Sequence, residues 1–471
     1  MSQNRTQLMV RAVICSVITL VAILIIGHPI LVQAQIATGR ITGTITDPTG
    51  AAVAGASLSI TNLETGVPVF ALHDGDRVTF YGDSITEQRE YTEDVEEYVL
   101  TRFPRWKVSF HNAGVGGDKV SGGWAGPIDL RLDRDVFSSH PSVITVMLGM
   151  NDFYSRPDQS GIFSTYVDGY RHIVESMQKN NPSARITLIE PSPYDEVTRE
   201  PASPSGNNSV LLKYGSFVSQ LARERSTQVT DFNTPLTALL KIINAESPAL
   251  AQQVIPDRVH PQQGGHWIMA ESLLRTWNAP SLVTSVVIDA GAKPSAKVAN
   301  TEVTDLDRTK GKATIRISWM QTDKALPLPF PPSEVDPVLA LVLKNSDVVA
   351  ALDQETLQVR NLTAGSYDLL IDGHKIGRFT AEQLTAGINL AIMETPMLEQ
   401  AKLVAFDTDK VNGLESARFQ IISGSATDEQ STTAKALADA YLKGVDRQRA
   451  DAEPLSHRYE VVLVNAATEL D

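Results

Sequence analysis

Hydrophobic and polar positions change period several times along this 471-residue chain. Residues 12–26 form an apolar run behind Arg5 and Arg11, broken by His28 and Pro29. Residues 40–46 and 56–60 alternate with period two about an Asp47-Pro48-Thr49-Gly50 turn, which predicts a short β-unit within 35–75. From 76 to 282 the pattern becomes strand and helix in turn. Strands are expected at 77–81, 107–110, 143–148 and 185–190, and helices at 88–103, 163–179, 211–225 and 265–277. The run 143–148 is apolar on both faces, which calls for a parallel sheet covered on each side. The fold class is therefore α/β. Beyond 283 the period-two alternation returns, with a strand at 313–319 and a hairpin at 367–379 turning on Asp372-Gly373. A capping box at Thr380-Ala381-Glu382-Gln383 opens a short helix, and Pro327, Pro329, Pro331 and Pro332 mark an irregular loop. Residues 283–471 are thus expected to form a β-rich accessory domain.

Basic residues, an apolar core and Val32-Gln33-Ala34 give residues 1–34 the layout of a secretory signal peptide, and so a secreted or periplasmic protein. The rival reading is an uncleaved membrane anchor, because 12–32 is nearly long enough to span a bilayer. A membrane is a partner only in that case. The single cysteine, Cys15, lies inside this segment, so the mature chain would have neither disulfide nor thiol chemistry. A net charge of −14 argues against nucleic acid as a partner.

Four pieces carry candidate chemistry. Gly82-Asp83-Ser84 follows the first strand and places a hydroxyl at the sheet edge where ligands bind, with backbone N–H groups of the next turn facing an oxyanion. Asn112-Ala113-Gly114-Val115-Gly116-Gly117-Asp118 follows the second strand, its glycines allowing close backbone approach. Gly149-Met150-Asn151-Asp152 follows the most apolar strand and offers an amide donor. Asp257-Arg258-Val259-His260 lets a carboxylate orient an imidazole within one turn. Each piece alone is compatible with an ordinary turn or loop. His266, His111, Trp124 and Tyr154 read as core or wall residues, Asp83 as facing away from Ser84, and 88–103 as a solvated acidic helix without an apolar lid.

Together the four pieces resemble the SGNH hydrolases, also named GDSL esterases, with Ile85 where the name has leucine. The resemblance implies a flavodoxin-like three-layer α/β/α domain over 76–282. It also implies Ser84 as nucleophile, His260 as base, Asp257 as orienting carboxylate, and an oxyanion hole from the Ser84 and Gly117 N–H groups and the Asn151 side chain. No cofactor or metal is implied. The expected activity is hydrolysis of a small-molecule or polysaccharide ester through an acyl-enzyme, with carbohydrate acetyl esters suited to an exported enzyme. The competing class is a surface carbohydrate-binding or assembly protein with a passenger hydrolase domain. Residues 37–67 resemble a truncated carboxypeptidase regulatory-like β module.

Overall fold

A computed structural model describes residues 70–153, 160–201, 206–310, 315–331, 335–422 and 427–464. The chain divides into Met1–Ile60 and Thr61–Asp471, and all described residues belong to the second unit. The candidate signal segment, the β-unit at 37–67 and Tyr154 lie outside the described residues.

Five strands build the first sheet: β1 (Arg77–Gly82), β2 (Ser109–Gly114), β3 (Val143–Met147), β4 (Arg185–Glu190) and β5 (Gln228–Asp231), in the order β2-β1-β3-β4-β5. Every pairing is parallel. This is the order of flavodoxin-like doubly wound sheets, whose ligands sit beyond the carboxyl ends of the strands. All five residues of β3 are buried, four of them apolar, as a central strand covered on both faces requires. Around the sheet are α1 (Ser84–Glu87), α2 (Glu90–Arg102), α3 (Ser160–Asn180), α4 (Asn208–Arg225), α5 (Asn233–Glu246), α6 (Pro248–Val254) and α7 (Gln263–Thr276). Helix α2 packs on α7, and α3 on α4. The Tyr166 and Tyr214 rings stack at 3.9 Å. The Tyr166 and Tyr170 hydroxyls donate to the Leu148 and Val146 carbonyls, which ties α3 to the carboxyl end of β3.

The strands after residue 281 are β6 (Leu282–Asp289), β7 (Ser295–Ala299), β8 (Thr301–Lys310), β9 (Ile315–Asp323), β10 (Gln354–Arg360), β11 (Ser366–Ile371), β12 (His374–Thr380), β13 (Ile388–Asn389) and β14 (Ser456–Leu463). They form an antiparallel sheet, β8-β9-β14-β11-β12, and a mixed sheet, β13-β10-β6-β7. Side chains of both share one core that includes Val286, Ile288, Ile317, Trp319, Leu357, Tyr367, Leu369 and Tyr459. The β11–β12 turn places Asp372 at φ 50° and Gly373 at φ 81°. Two successive left-handed residues are what a type I′ turn requires. The Thr380 capping box is formed as its sequence predicts.

Two long helices were not legible in sequence: α11 (Pro396–Ile422) and α12 (Asp428–Ala452). (Between them and β9 lie α8, Pro337–Asn345, α9, Val348–Leu352, and α10, Ala381–Ala386.) The buried face of α11 carries Asp407, Thr408, Asn412 and Glu415 among its apolar residues, and that of α12 carries Gln448. These positions are satisfied by polar partners, so no continuous apolar stripe announces either helix.

The same contact overturns the reading of 88–103 as solvated. Asp94 is 1% exposed and accepts from Gln263 of α7 at 2.7 Å, and Glu96 is 8% exposed because α11 and α12 cover it. Glu96 accepts from Asn412 Nδ2 at 3.0 Å and from Gln448 Nε2 at 3.1 Å. Arg89 joins α1 to α2 in a left-handed conformation, φ 72°, and its guanidinium reaches Asn412 at 3.1 Å and Glu415 at 2.5 Å.

Burial, reinforced by Glu96 and Asp409, pushes the Glu93 carboxyl up to about 8. Burial likewise lifts Asp94 and Glu97 well above the usual carboxylate range. Between its ordinary value and its folded value, such a group holds more protons in the folded chain than in the unfolded one. Stability therefore falls as pH rises through that window. Buried His266, held down to about 3, acts with the opposite slope, but only below its ordinary 6.5. Thermal melts should accordingly show the wild type losing stability between about pH 6.5 and 8.5. Glu93→Gln removes one of these raised carboxyls and should flatten that loss. An unchanged pH slope in the variant would contradict the assignment.

Further contacts bridge 76–282 and the later strands. Leu326, Leu328 and Phe330 alternate with prolines and are buried. Phe330 meets the Trp267 ring edge-on at 4.8 Å, and Leu339, Val342, Val348 and Leu352 of α8 and α9 enter the core of the first sheet.

Candidate active site

Strand β1 ends at Gly82, where an added Cβ would lie 2.1 Å from Thr86 Oγ1. That closeness lets α1 turn tightly off the strand. Asp83 caps α1, its buried carboxylate accepting from Ile85 N–H at 3.1 Å. Burial pushes this carboxyl up to about 7, the Ile85 N–H offsetting part of the effect, with Asp152 and Asp118 raising it further. Asp83 thus points into the domain, away from the Ser84 hydroxyl.

Ser84 is the first residue of α1, at the positive end of the turn. Its Oγ lies 2.8 Å from His260 Nε2. His260 Nδ1 donates to Asp257 Oδ2 at 2.6 Å. Asp257 Oδ1 accepts two backbone N–H groups, from Val259 at 2.9 Å and His260 at 2.7 Å. Partial burial alone would raise the Asp257 carboxyl, but the His260 backbone and imidazole donors and the Val259 N–H outweigh it and hold the group below its usual range. With Nδ1 donating, Nε2 is left as the acceptor for the serine proton.

The Asp257–His260 turn is braced by the loop after β4, which sequence reasoning had not singled out for this task. Asp195 N–H donates to the Arg258 carbonyl at 2.8 Å, and Arg258 itself adopts φ 75°. The Arg258 guanidinium donates to the Glu200 carbonyl at 2.8 Å. Arg199 donates to the Ile255 and Pro256 carbonyls at 3.0 and 2.7 Å. Arginines in a loop carry no sequence signal for such contacts, because their acceptors are backbone carbonyls 56 and 57 residues away.

The glycine loop lies against the serine. A Cβ added at Gly116 would come 3.8 Å from Ser84 Cβ. Gly116 N–H donates to Glu87 Oε2 at 2.8 Å, and Asp118 N–H to the Val115 carbonyl at 3.1 Å. Between them Gly117 adopts φ 79°, with open space around it. That backbone conformation favours glycine even where a side chain would fit. Asn151 Nδ2 donates to the Asp118 carbonyl at 3.0 Å, which brings the third motif onto the second.

Arg131 underpins this arrangement and was missed in sequence. It is fully buried, donates from Nε to Asp118 Oδ2 at 2.7 Å and from Nη2 to the Ala113 carbonyl at 2.9 Å, and also pairs with Asp135. Its guanidinium carbon lies 5.3 Å from the Tyr81 ring centroid, within reach of a cation–π attraction. The signal was available only as an arginine beside Asp133 and Asp135, which reads equally well as a surface charge cluster.

The other candidates separate cleanly. His266 is a core residue: Nδ1 accepts from Tyr91 N–H at 3.2 Å, Nε2 donates to the Pro261 carbonyl at 3.1 Å, and burial keeps the ring neutral. His111 bonds Glu415 of α11 at 2.8 Å and the Asp135 carbonyl at 2.9 Å, so it joins the sheet to the C-terminal helices. Trp124 is exposed beside the glycine loop.

Comparison with known proteins places this chain. Residues 80–268 match the GDSL-like lipase/acylhydrolase family. The chain is 24% identical over 220 residues to an acetylxylan esterase of Geobacillus stearothermophilus, covering 43% of this chain and 93% of that protein. A solved gut microbial diltiazem-metabolizing enzyme, 24% identical, superposes with a TM-score of 0.72 over 84% of this chain and 99% of its own. That likeness shows that the fold, C-terminal sheets included, recurs in another protein. Residues 80–268 thus carry a domain similar to the GDSL-like lipase/acylhydrolases, the SGNH hydrolases, and together with the acetylxylan esterase likeness this supports carboxylic ester hydrolase activity.

Proposed function

We propose that this protein is an exported serine esterase that removes short acyl groups, acetyl foremost, from carbohydrate. Ser84 is the nucleophile, His260 the general base and then acid, and Asp257 the carboxylate that orients it. The observation that carries the reading is the continuous hydrogen-bonded path from Ser84 Oγ through His260, 2.8 Å, to Asp257, 2.6 Å.

In the first half-reaction Ser84 Oγ attacks the ester carbonyl carbon while its proton passes to His260 Nε2. Asp257 stabilises the imidazolium without taking the proton itself. The charge that develops on the carbonyl oxygen is assigned to the Ser84 and Gly117 N–H groups and the Asn151 amide as donors. His260 then gives its proton to the departing alcohol, leaving an acyl-enzyme. A water repeats the sequence and releases the acid. Export rests on the basic, apolar and small-residue regions of 1–34. Carbohydrate as substrate draws on the acetylxylan esterase similarity.

Acetate release from acetylated xylooligosaccharide, compared with p-nitrophenyl esters of two to twelve acyl carbons, tests the substrate class. Turnover should be highest with acetyl esters and fall as the chain lengthens. A maximum at eight carbons or more would replace this reading with a lipase-like one.

A further inference from the structure

One aromatic side chain beside the site has no part in the chemistry above. Trp124 is 75% exposed, whereas Trp267, Trp277 and Trp319 are buried and Trp106 is half-buried. A single exposed apolar side chain ordinarily needs no explanation. This one is fixed in place. It sits at the turn of a short ladder pairing Gly122 with Pro127 and Gly123 with Gly126. Its indole Nε1 donates to the Gly116 carbonyl at 2.8 Å, on the loop that lies against Ser84.

The mount is built with little freedom. Gly122 has φ 84°, and a Cβ there would come 2.3 Å from the Gly126 carbonyl. A Cβ at Gly123 would come 2.6 Å from Asp118 Oδ1. Ala125, the residue after Trp124, is buried with Val115 of the glycine loop and Phe419 of α11. The Ala125 carbonyl accepts from Arg134 at 3.2 Å. The ring is therefore presented to solvent on a support that the hydrolase domain and the C-terminal helices build together.

We propose that Trp124 is the platform on which the alcohol moiety of the substrate stacks, and that this moiety is a pyranose ring. The inference rests on the esterase reading and narrows it to the leaving-group side. The polar edge of the indole is already engaged by Gly116, so what remains on offer is the ring face. A sugar presents an apolar C–H face and a polar rim that stays hydrated, which suits an open aromatic surface. An acyl chain gains most when enclosed on all sides, which a ring three-quarters exposed does not provide.

The test compares two acetyl esters, acyclic triacetin and peracetylated methyl β-xyloside, in the wild type, Trp124→Ala and Trp124→Phe. Alanine should raise KM for the xyloside about fivefold, leave its kcat within about twofold, and leave triacetin nearly unchanged. Phenylalanine keeps a face but lacks the indole N–H, and should restore most of the xyloside KM. Equal losses on both esters, or none on either, would overturn the platform. A wild type that releases acetate from neither ester would instead sink the esterase reading. The platform is then judged by binding alone. Xylohexaose should quench tryptophan emission in Ser84→Ala and not in Ser84→Ala/Trp124→Phe, and equal quenching in the two would overturn it.

Discussion

Ser84→Ala is expected to lower kcat by about 10⁴–10⁶-fold with KM for an acetyl ester little changed. The hydroxyl stands at the head of the path to His260 and Asp257, and its loss leaves an imidazole with nothing to activate. His260→Ala should cost about as much, and the double variant scarcely more than either, because groups that act as one unit are not additive. What survives should be about 10³-fold over water, supplied by binding and the oxyanion donors. Folding should be unaffected, since a partly exposed serine replaced by alanine shifts stability by about 0.5 kcal/mol or less. Retention of more than a few per cent of wild-type kcat in Ser84→Ala would remove it from the nucleophile's role.

Arg131→Met should produce the largest loss of stability of any single change near the site, about 3–5 kcal/mol. The guanidinium has no exposure and faces two carboxylates, Asp118 and Asp135, that are themselves buried. Burial already drives the Asp118 carboxyl upward, with Arg131 pulling it back. Without the cation Asp118 must either protonate or stay charged in the protein interior, and either course is costly, whereas Asp135 keeps its pairing with Arg134. Denaturant midpoints at neutral pH would measure the loss. Arg131→Met combined with Asp118→Asn should recover part of it, because one stranded charge is then gone. Activity should fall as well. The Asp118 carbonyl holds the Asn151 amide, which the proposed mechanism uses as an oxyanion donor, and displacement of one such donor costs about 10²–10³-fold in kcat. A variant as stable as the wild type would show that this buried network contributes little.

The C-terminal region thereby acquires a structural connection to the chemistry. Glu415 and Asn412 hold Arg89, five residues beyond Ser84, in its left-handed turn. Phe419 packs on Val115 and Ala125 at the glycine loop. The region is β-rich, as its alternating sequence predicts, but it also supplies a long helical pair whose buried face is partly polar.

Local pattern was enough for the sheet, the hairpin at Asp372-Gly373, the capping box at Thr380 and the motifs around Ser84, Gly117, Asn151 and Asp257-His260. Each rests on short-range rules: strand period, turn dihedrals, and side chains that serve backbone groups a few residues away. Strand β5 escaped notice because four residues, Gln228-Val229-Thr230-Asp231, hold no apolar run. Only the tertiary structure decided that α2 is buried, that α11 and α12 exist as long helices, and that Arg131 and Arg199 brace the site. The physical reason is common to these cases. A charged or amide side chain reads as solvated until its partner is known, and here the partners lie far away in sequence: Glu96 with Asn412 and Gln448, Arg89 with Glu415, Arg199 with the carbonyls of Ile255 and Pro256. Periodicity records which positions avoid water through apolar contact, and it is silent about those that avoid water through pairing.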